Sequence, residues 1–168
     1  DGDKRFHFTG RGFNFRPTEI QGAIGTVQLG RLREFNCFRA RHAETFWRHI
    51  RPEQGNPVRL IECESRTVKP SWFAMPFVLK ENLPYTRAEV FQYLADLGIE
   101  ARPMVGGNLA RQPAFAKLRN LAASNLENAD EIHDRAFYIG LPPIEKDMQP
   151  VVNAFQSMHA RLAQKVTA

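Results

Sequence analysis

From Ile20 onward apolar residues return at Ile24, Val27, Leu32, Phe35, Phe38, Phe46 and Ile50, an approximate 3.6-residue period that predicts one long helix. Thr18 followed three positions later by Gln21 has the form of a capping box, with Pro17 just ahead, so the helix is expected to start at about residue 18. Pro52, Gly55 and Pro57 close it near Ile50, with room for one break inside. Gly22, Gly25 and Gly30 lie within the pattern, where each costs about 1 kcal/mol relative to alanine. Their presence points to a neighbouring helix or subunit that approaches closely.

After residue 57 the period changes. Val58 to Ile61 has the composition of a short strand, and Ser71 to Leu79 (SWFAMPFVL) is the strongest strand candidate, with Pro76 arguing for an edge position or a bulge. Trp72 and Phe73 within it read first as core. Thr86 with Glu89 three residues on repeats the capping-box pattern, and Val90, Phe91, Tyr93, Leu94 and Leu97 then build a helix that Gly98 stops. Ile99 to Val105 and Phe137 to Leu141 read as strands, with a helix from about Asn128 to Arg135 between them, and Met148 to Lys165 as a last helix. The sum is an α+β fold: a long N-terminal helix, then a small three-stranded, mainly antiparallel sheet with helices packed on one face. Residues 1 to 16, with Phe6, Phe8, Phe13 and Phe15 among Gly2, Gly10 and Gly12, read as an ordered loop.

Composition narrows the class. The 168 residues are 43% hydrophobic and 24% charged, which fits one soluble globular domain with a real core. No apolar run approaches the roughly 18 residues of a membrane span, so no membrane role is expected. The opening Asp1-Gly2-Asp3-Lys4 carries neither an initiator Met nor a signal-like run and reads as a boundary inside a longer protein. Cys37 and Cys63 match neither a disulfide framework nor a zinc knuckle and point to a reducing, cytoplasmic compartment. The histidines His7, His42, His49, His133 and His159 form no short ligand pair, so no metal is expected. The net charge of +5 owes much to Arg31, Arg33, Arg39, Arg41, Arg48 and Arg51. Glu34 and Glu44 interrupt that stripe, which favours a solvated helix face over a phosphate-binding surface. A basic nucleic-acid-binding module, whose affinity would fall steeply with salt, and a pure dimerisation module remain as readings from other classes.

Two runs carry more specific information: Gly12-Phe13-Asn14-Phe15-Arg16-Pro17-Thr18-Glu19-Ile20-Gln21-Gly22-Ala23-Ile24-Gly25 and Arg102-Pro103-Met104-Val105-Gly106-Gly107-Asn108-Leu109-Ala110-Arg111-Gln112-Pro113. Together they resemble the DegT family of nucleotide-sugar aminotransferases, and Pro70 to Phe73 and Asn128 through Pro143 also look like family segments. The resemblance implies the small domain of the aspartate aminotransferase fold, divided into a loop (1–17) reaching a partner subunit's active site, an interdomain and dimer-interface helix (18–51) and a C-terminal small domain (52–168). It implies a homodimer using pyridoxal or pyridoxamine 5'-phosphate on a nucleotide-linked 4-keto sugar, in deoxysugar, aminosugar and cell-surface polysaccharide biosynthesis. Asn108 stands near a position where the family's aminotransferases tend to carry His, so the second run is more similar to the 3-dehydratase branch. Transamination and dehydration both stay open.

The same resemblance implies that the residue holding or replacing the covalently bound cofactor lies upstream, because none of Lys4, Lys69, Lys80, Lys117, Lys146 and Lys165 occupies the family's lysine segment. No catalytic residue is assigned to this chain, which by itself is expected to be inactive. Asn14 is then the expected ligand of the partner's cofactor phosphate, and Arg16 a cofactor-phosphate or substrate contact: an amide donates hydrogen bonds without charge, a guanidinium adds charge and a planar fork of donors. Asn14 as a simple turn former is the alternative. Phe6 is expected beside the sugar, with Phe8 competing and plain loop packing as the alternative. Arg102, Asn108 and Arg111 are expected on the substrate side, where a diphosphate needs cations and Gly106-Gly107 lets backbone approach a ligand. Against this, Arg102 and Arg111 are equally read as partners of nearby surface acids.

Overall fold

The computed structural model describes residues 16–50, 55–61, 67–115 and 125–166, with the single positions 7, 9, 10, 12 and 63. In chain order the elements are α1 (Glu19–His49), β1 (Val58–Leu60), β2 (Ala74–Leu79), α2 (Arg87–Asp96), β3 (Ala101–Pro103), a single 3-10 turn (Leu109–Arg111), α3 (Glu127–Arg135), β4 (Ala136–Gly140) and α4 (Gln149–Val166). The α+β architecture expected from the periodicity is the one observed. The sheet has four strands rather than three, in the order β1-β2-β4-β3, and every neighbouring pair is antiparallel.

Helix α1 starts where the capping pattern places it: the Gln21 Oε1 accepts the Thr18 N–H at 2.6 Å. It then runs 31 residues without a break, straight through Gly22, Gly25 and Gly30. Only its C-terminal part enters the core, where Ala43 and Phe46 are fully buried. The Phe46 ring meets Phe77 of β2 edge-on at 5.8 Å and Phe155 of α4 at 6.1 Å. Phe77 stacks on Phe155 at 4.4 Å and on Phe137 of β4 at 5.3 Å, and Phe91 of α2 closes the group against Phe137 at 5.7 Å. Phe77 and Phe137 are register partners on one sheet face, which the end of α1 together with α2 and α4 covers. Each ring burial is worth roughly 1.5–3 kcal/mol, and a well-oriented aromatic pair adds about 0.5–1.5 kcal/mol, so this cluster fixes the fold.

Several sequence expectations need correction. Pro76 argued for an edge strand, yet β2 is an inner strand paired on both sides. The β1 register ends at Leu60↔Phe77, and beyond it a single long bond of 3.5 Å runs from the Ile61 N–H to the Pro76 carbonyl, so the missing proline N–H falls at the frayed end of the β1 ladder. Phe73, read as core, is 67% exposed. The chain bends there before β2 begins, carrying the ring onto Tyr138 at 6.4 Å with the Arg39 guanidinium 5.9 Å from its centre. Trp72 is half-buried against Trp47, at 5.0 Å. Strand β3, expected over 99–105, shortens to three residues because the chain turns after Pro103, with the Gly107 N–H donating to the Met104 carbonyl at 2.7 Å.

The arginine stripe of α1 is largely solvated. Arg31, Arg33, Arg41 and Arg48 are exposed, Arg48 pairs with Glu44, and Arg31 lies over Phe35 at 4.8 Å. Cys37 and Cys63 are free and exposed. No helix among the described residues is long and apolar enough to cross a membrane.

Candidate functional site

Strand β3 delivers the chain into a turn that folds back over α3. Val105 has φ +37° and Gly107 φ +55°, left-handed backbone that glycine accepts easily and valine does not. A Cβ at Gly107 would lie 2.6 Å from the His133 Nδ1 and 2.9 Å from its Cα, so only glycine fits that crossing. Asn108 follows, 4% exposed. Its N–H donates to the His133 Nδ1 at 3.2 Å, its Nδ2 donates to Asp130 at 2.9 Å, and its Oδ1 accepts the Ala110 N–H at 3.0 Å, capping the 3-10 turn. Gln112, also buried, donates back to the Gly106 carbonyl at 3.0 Å and closes the loop on itself.

Arg111 leaves the far side of this loop and reaches α3. Its Nη1 donates to both Asp134 oxygens at 2.8 Å and to Asp130 at 3.3 Å. The Asp134 bond raises the guanidinium pKa above its ordinary value. The Asn108 amide, followed by Arg111, holds the Asp130 carboxyl below the usual carboxylate range, with slight burial opposing. His133 moves down from the ordinary histidine value, first because it is partly buried and then because Arg111 and Arg87 repel a second positive charge.

Arg102 is outside this cluster. It lies exposed on β3, opposite Tyr138, and pairs with Glu100 through Nε at 2.8 Å and Nη2 at 2.7 Å. It lines a cleft of about 410 Å³ with Phe73, Tyr138 and Lys146. Arg16 is exposed just ahead of α1 and makes no ion pair among the described residues. Phe6 and Asn14 lie outside the described residues. The structure thus brings Asn108 and Arg111 together, sets Arg102 apart, and shows both arginines paired with acids. Sequence reasoning missed Asp130, His133 and Asp134. Their i, i+3, i+4 spacing on an anticipated helix was the available signal, because it puts all three on one face. Among the described residues no group of His, Cys, Asp and Glu side chains could hold a metal.

Against this geometry the sequence profile of the DegT/DnrJ/EryC1/StrS aminotransferase family matches residues 1–156. The chain belongs to this family. It is similar, with 32% identity over 84% of its length, to a dTDP-4-dehydro-2,6-dideoxy-D-glucose 3-dehydratase of Saccharopolyspora spinosa, of which it covers 30%. Among solved structures it superposes on an E. coli GDP-4-keto-6-deoxy-D-mannose-3-dehydratase with bound hydrated PLP, with TM-score 0.65 and 26% identity over 94% of this chain and 39% of that one. An aminotransferase from Psychrobacter cryohalolentis gives TM-score 0.74 at 19% identity, over 90% of this chain and 41% of that one, a likeness of fold alone. The family neighbours share the aspartate aminotransferase fold, and the long helix with its small antiparallel sheet is the part present here. The chain spans about a third of the length of the curated family relatives it matches, from 28% to 36%.

Proposed function

We propose that this chain is the C-terminal part of a homodimeric, cytoplasmic enzyme that uses pyridoxal or pyridoxamine 5'-phosphate on a nucleotide-linked 4-keto sugar, by transamination or 3-dehydration, and that the chain alone is inactive. The observation that carries the reading is 32% identity to a nucleotide-sugar 3-dehydratase across 84% of the chain. Residues 1–17 act as a loop reaching a partner's active site, 18–51 as the interdomain and interface helix, and 52–168 as the small domain.

The surface of α1 supports that division. Ile20, Ile24 and Val27 follow one another at i, i+4, i+7 on one face, while Gly22, Gly25, Leu29 and Leu32 form a second face, and all the apolar ones are exposed. Alanine methyls at Gly22 or Gly25 would meet nothing within 4 Å. A helix half that is apolar on two faces, with glycines unexplained by any internal contact, is built to be covered by other protein on both sides.

The residues present fit the phosphate end of the cofactor and not its covalent attachment. Arg16 stands exposed at the entrance to α1 with no ion pair among the described residues, and Lys69, Lys80 and Lys146 stand exposed on the surface. When bound, the cofactor supplies an electron sink for charge developing on the sugar carbon attached to it. This chain's residues would bind and orient: Asn14 and Arg16 hold the partner's cofactor phosphate, and Phe6 borders the sugar. Arg102 and Arg111 receive the diphosphate, and Asn108 serves the substrate side by holding the 106–112 turn through its bonds to Asp130 and Ala110. Among the described residues Arg111 meets carboxylates through Nη1, which leaves its other donors for phosphate oxygens.

The test is to incubate the full-length protein with either cofactor form, glutamate and GDP- or dTDP-linked 4-keto-6-deoxy sugars, and read the products by mass spectrometry. Loss of the C3 hydroxyl or gain of an amino group is the expected result, with no turnover by the 168-residue chain alone. A full-length protein that leaves every such sugar unchanged overturns the proposal.

A further inference from the structure

The contact between α3 and the turn after β3 has a chemical condition attached to it. An amide N–H can only donate, so the Asn108 N–H at 3.2 Å from the His133 Nδ1 requires that nitrogen to accept, with the ring neutral and its proton on Nε2. Every other feature of the turn tightens this arrangement. Gly107 crosses α3 with no room for a side chain, Val105 is held in left-handed backbone, and the Asn108 side chain is tied to Asp130.

We infer that His133 is a positioning residue for the substrate-facing loop 104–112, which it holds over α3 only while its imidazole is neutral. The inference rests on the assignment of that loop to the nucleotide sugar. Protonation would place a donor against a donor at Nδ1, and the Asn108 N–H would lose its partner. Charged and polar groups act on the ring from α2, from α3 and from the turn after β3. Arg111 from the 3-10 turn and Arg87 from α2, whose Nη1 donates to the His133 carbonyl at 2.7 Å, oppose the imidazolium. Asp134 on α3 and the Gly106 carbonyl of the turn favour it, and Asp130 stands one helical turn away, engaged by Asn108 and Arg111. Burial and the two arginines prevail, so the ring is neutral at ordinary pH. A depressed histidine pKa stabilises the folded loop fully above the unfolded value and loses that stabilisation as pH falls through the depressed one.

Hydrogen exchange of residues 104–115 in the full-length protein tests this, with wild type, His133→Asn and His133→Leu compared at matched pH. The Asn Oδ1 can accept where Nδ1 did but cannot titrate. At pH 8 wild type and His133→Asn should protect the loop alike, and His133→Leu should exchange about tenfold faster, the loss of one hydrogen bond. As pH falls through the depressed His133 value, followed as an acid titration of exchange, wild type should move to the behaviour of His133→Leu while His133→Asn stays protected. KM for the nucleotide sugar should follow the same pattern, rising at acid pH in wild type and staying flat in His133→Asn, with kcat moving less. Equal exchange in all three proteins, or protection lost at acid pH in His133→Asn as in wild type, overturns the role of His133. Exchange that behaves as expected in a protein that binds no nucleotide sugar overturns the substrate assignment of the loop instead, so the two failures are told apart.

Discussion

Replacing Gly22 and Gly25 with alanine should act in opposite directions on the isolated chain and on the assembled enzyme. Both glycines have helical neighbours on either side, and an added methyl at either meets nothing within 4 Å. Alanine is favoured over glycine in an exposed helix interior by about 1 kcal/mol per site, so the double substitution should favour the helix by roughly 2 kcal/mol in the chain alone. The N-terminal half of α1 makes few contacts with the core, so the gain should appear as added helicity and slower amide exchange at its start rather than as a higher global midpoint. In the full-length protein the same methyls enter a packed contact, where overpacking costs about 1–3 kcal/mol. Dimer dissociation, read by sedimentation, or unfolding of the full-length protein by urea, should worsen accordingly, by roughly five- to hundredfold if the whole effect falls on association. Far-UV circular dichroism and exchange on the chain supply the other arm. Loss of helicity in the chain refutes the local argument. A full-length protein that is stabilised, with dimer affinity unchanged, refutes the claim that other protein covers this half of α1.

Two further outcomes follow from the core. Phe46→Ala removes the ring joining α1 to Phe77 and Phe155 and should cost about 3–5 kcal/mol in urea unfolding, while Ile24→Ala in the isolated chain should stay within about 0.5 kcal/mol. Burial pushes the Tyr85 hydroxyl up to about 12 from 10.0, and a raised pKa stabilises the folded state below the unfolded value and ceases to do so as pH rises through the folded one. The stability of wild type relative to Tyr85→Phe should therefore fall between about pH 10 and 12, measured by urea midpoints; a constant difference would contradict the burial argument.

The legible parts of the fold were those whose signals are local. The N-termini of α1 and α2 are written in Thr18 with Gln21 and Thr86 with Glu89, and the Gln21 and Glu89 side chains accept the cap N–H groups as expected. Strand β1 was only a possible strand in the sequence because three residues give almost no period, and its existence depends on pairing with β2. Pro76 misled because the cost of a proline in a sheet depends on where the neighbouring ladder ends, which is a tertiary fact. Phe73 misled for a similar reason, since a bend one residue before the strand breaks the alternation. In the site, the Gly106-Gly107 pair announced a close approach, but what approaches is α3 of the same chain. The roles of Asp130, His133 and Asp134 depend on that crossing and could not be read from their spacing alone.

The most direct test of the account is whether the loop before α1 serves the active site of a second copy. In the full-length protein, an Asn14→Ala/Arg16→Ala double mutant is mixed with a mutant lacking the upstream catalytic residue, after subunit exchange has been demonstrated. Loss of a neutral hydrogen bond to phosphate costs on the order of 1 kcal/mol and of a charge-assisted one about 1.5–3 kcal/mol, so the double mutant alone should be strongly impaired, with Arg16→Ala contributing more. If the loop acts in trans, each mixed dimer has one site carrying both lesions and one carrying neither. Activity then reappears on mixing, toward a quarter of the wild-type level per total active site at equal ratio, roughly half of dimers being mixed. A mixture that exchanges subunits and stays as inactive as its parts would contradict the account.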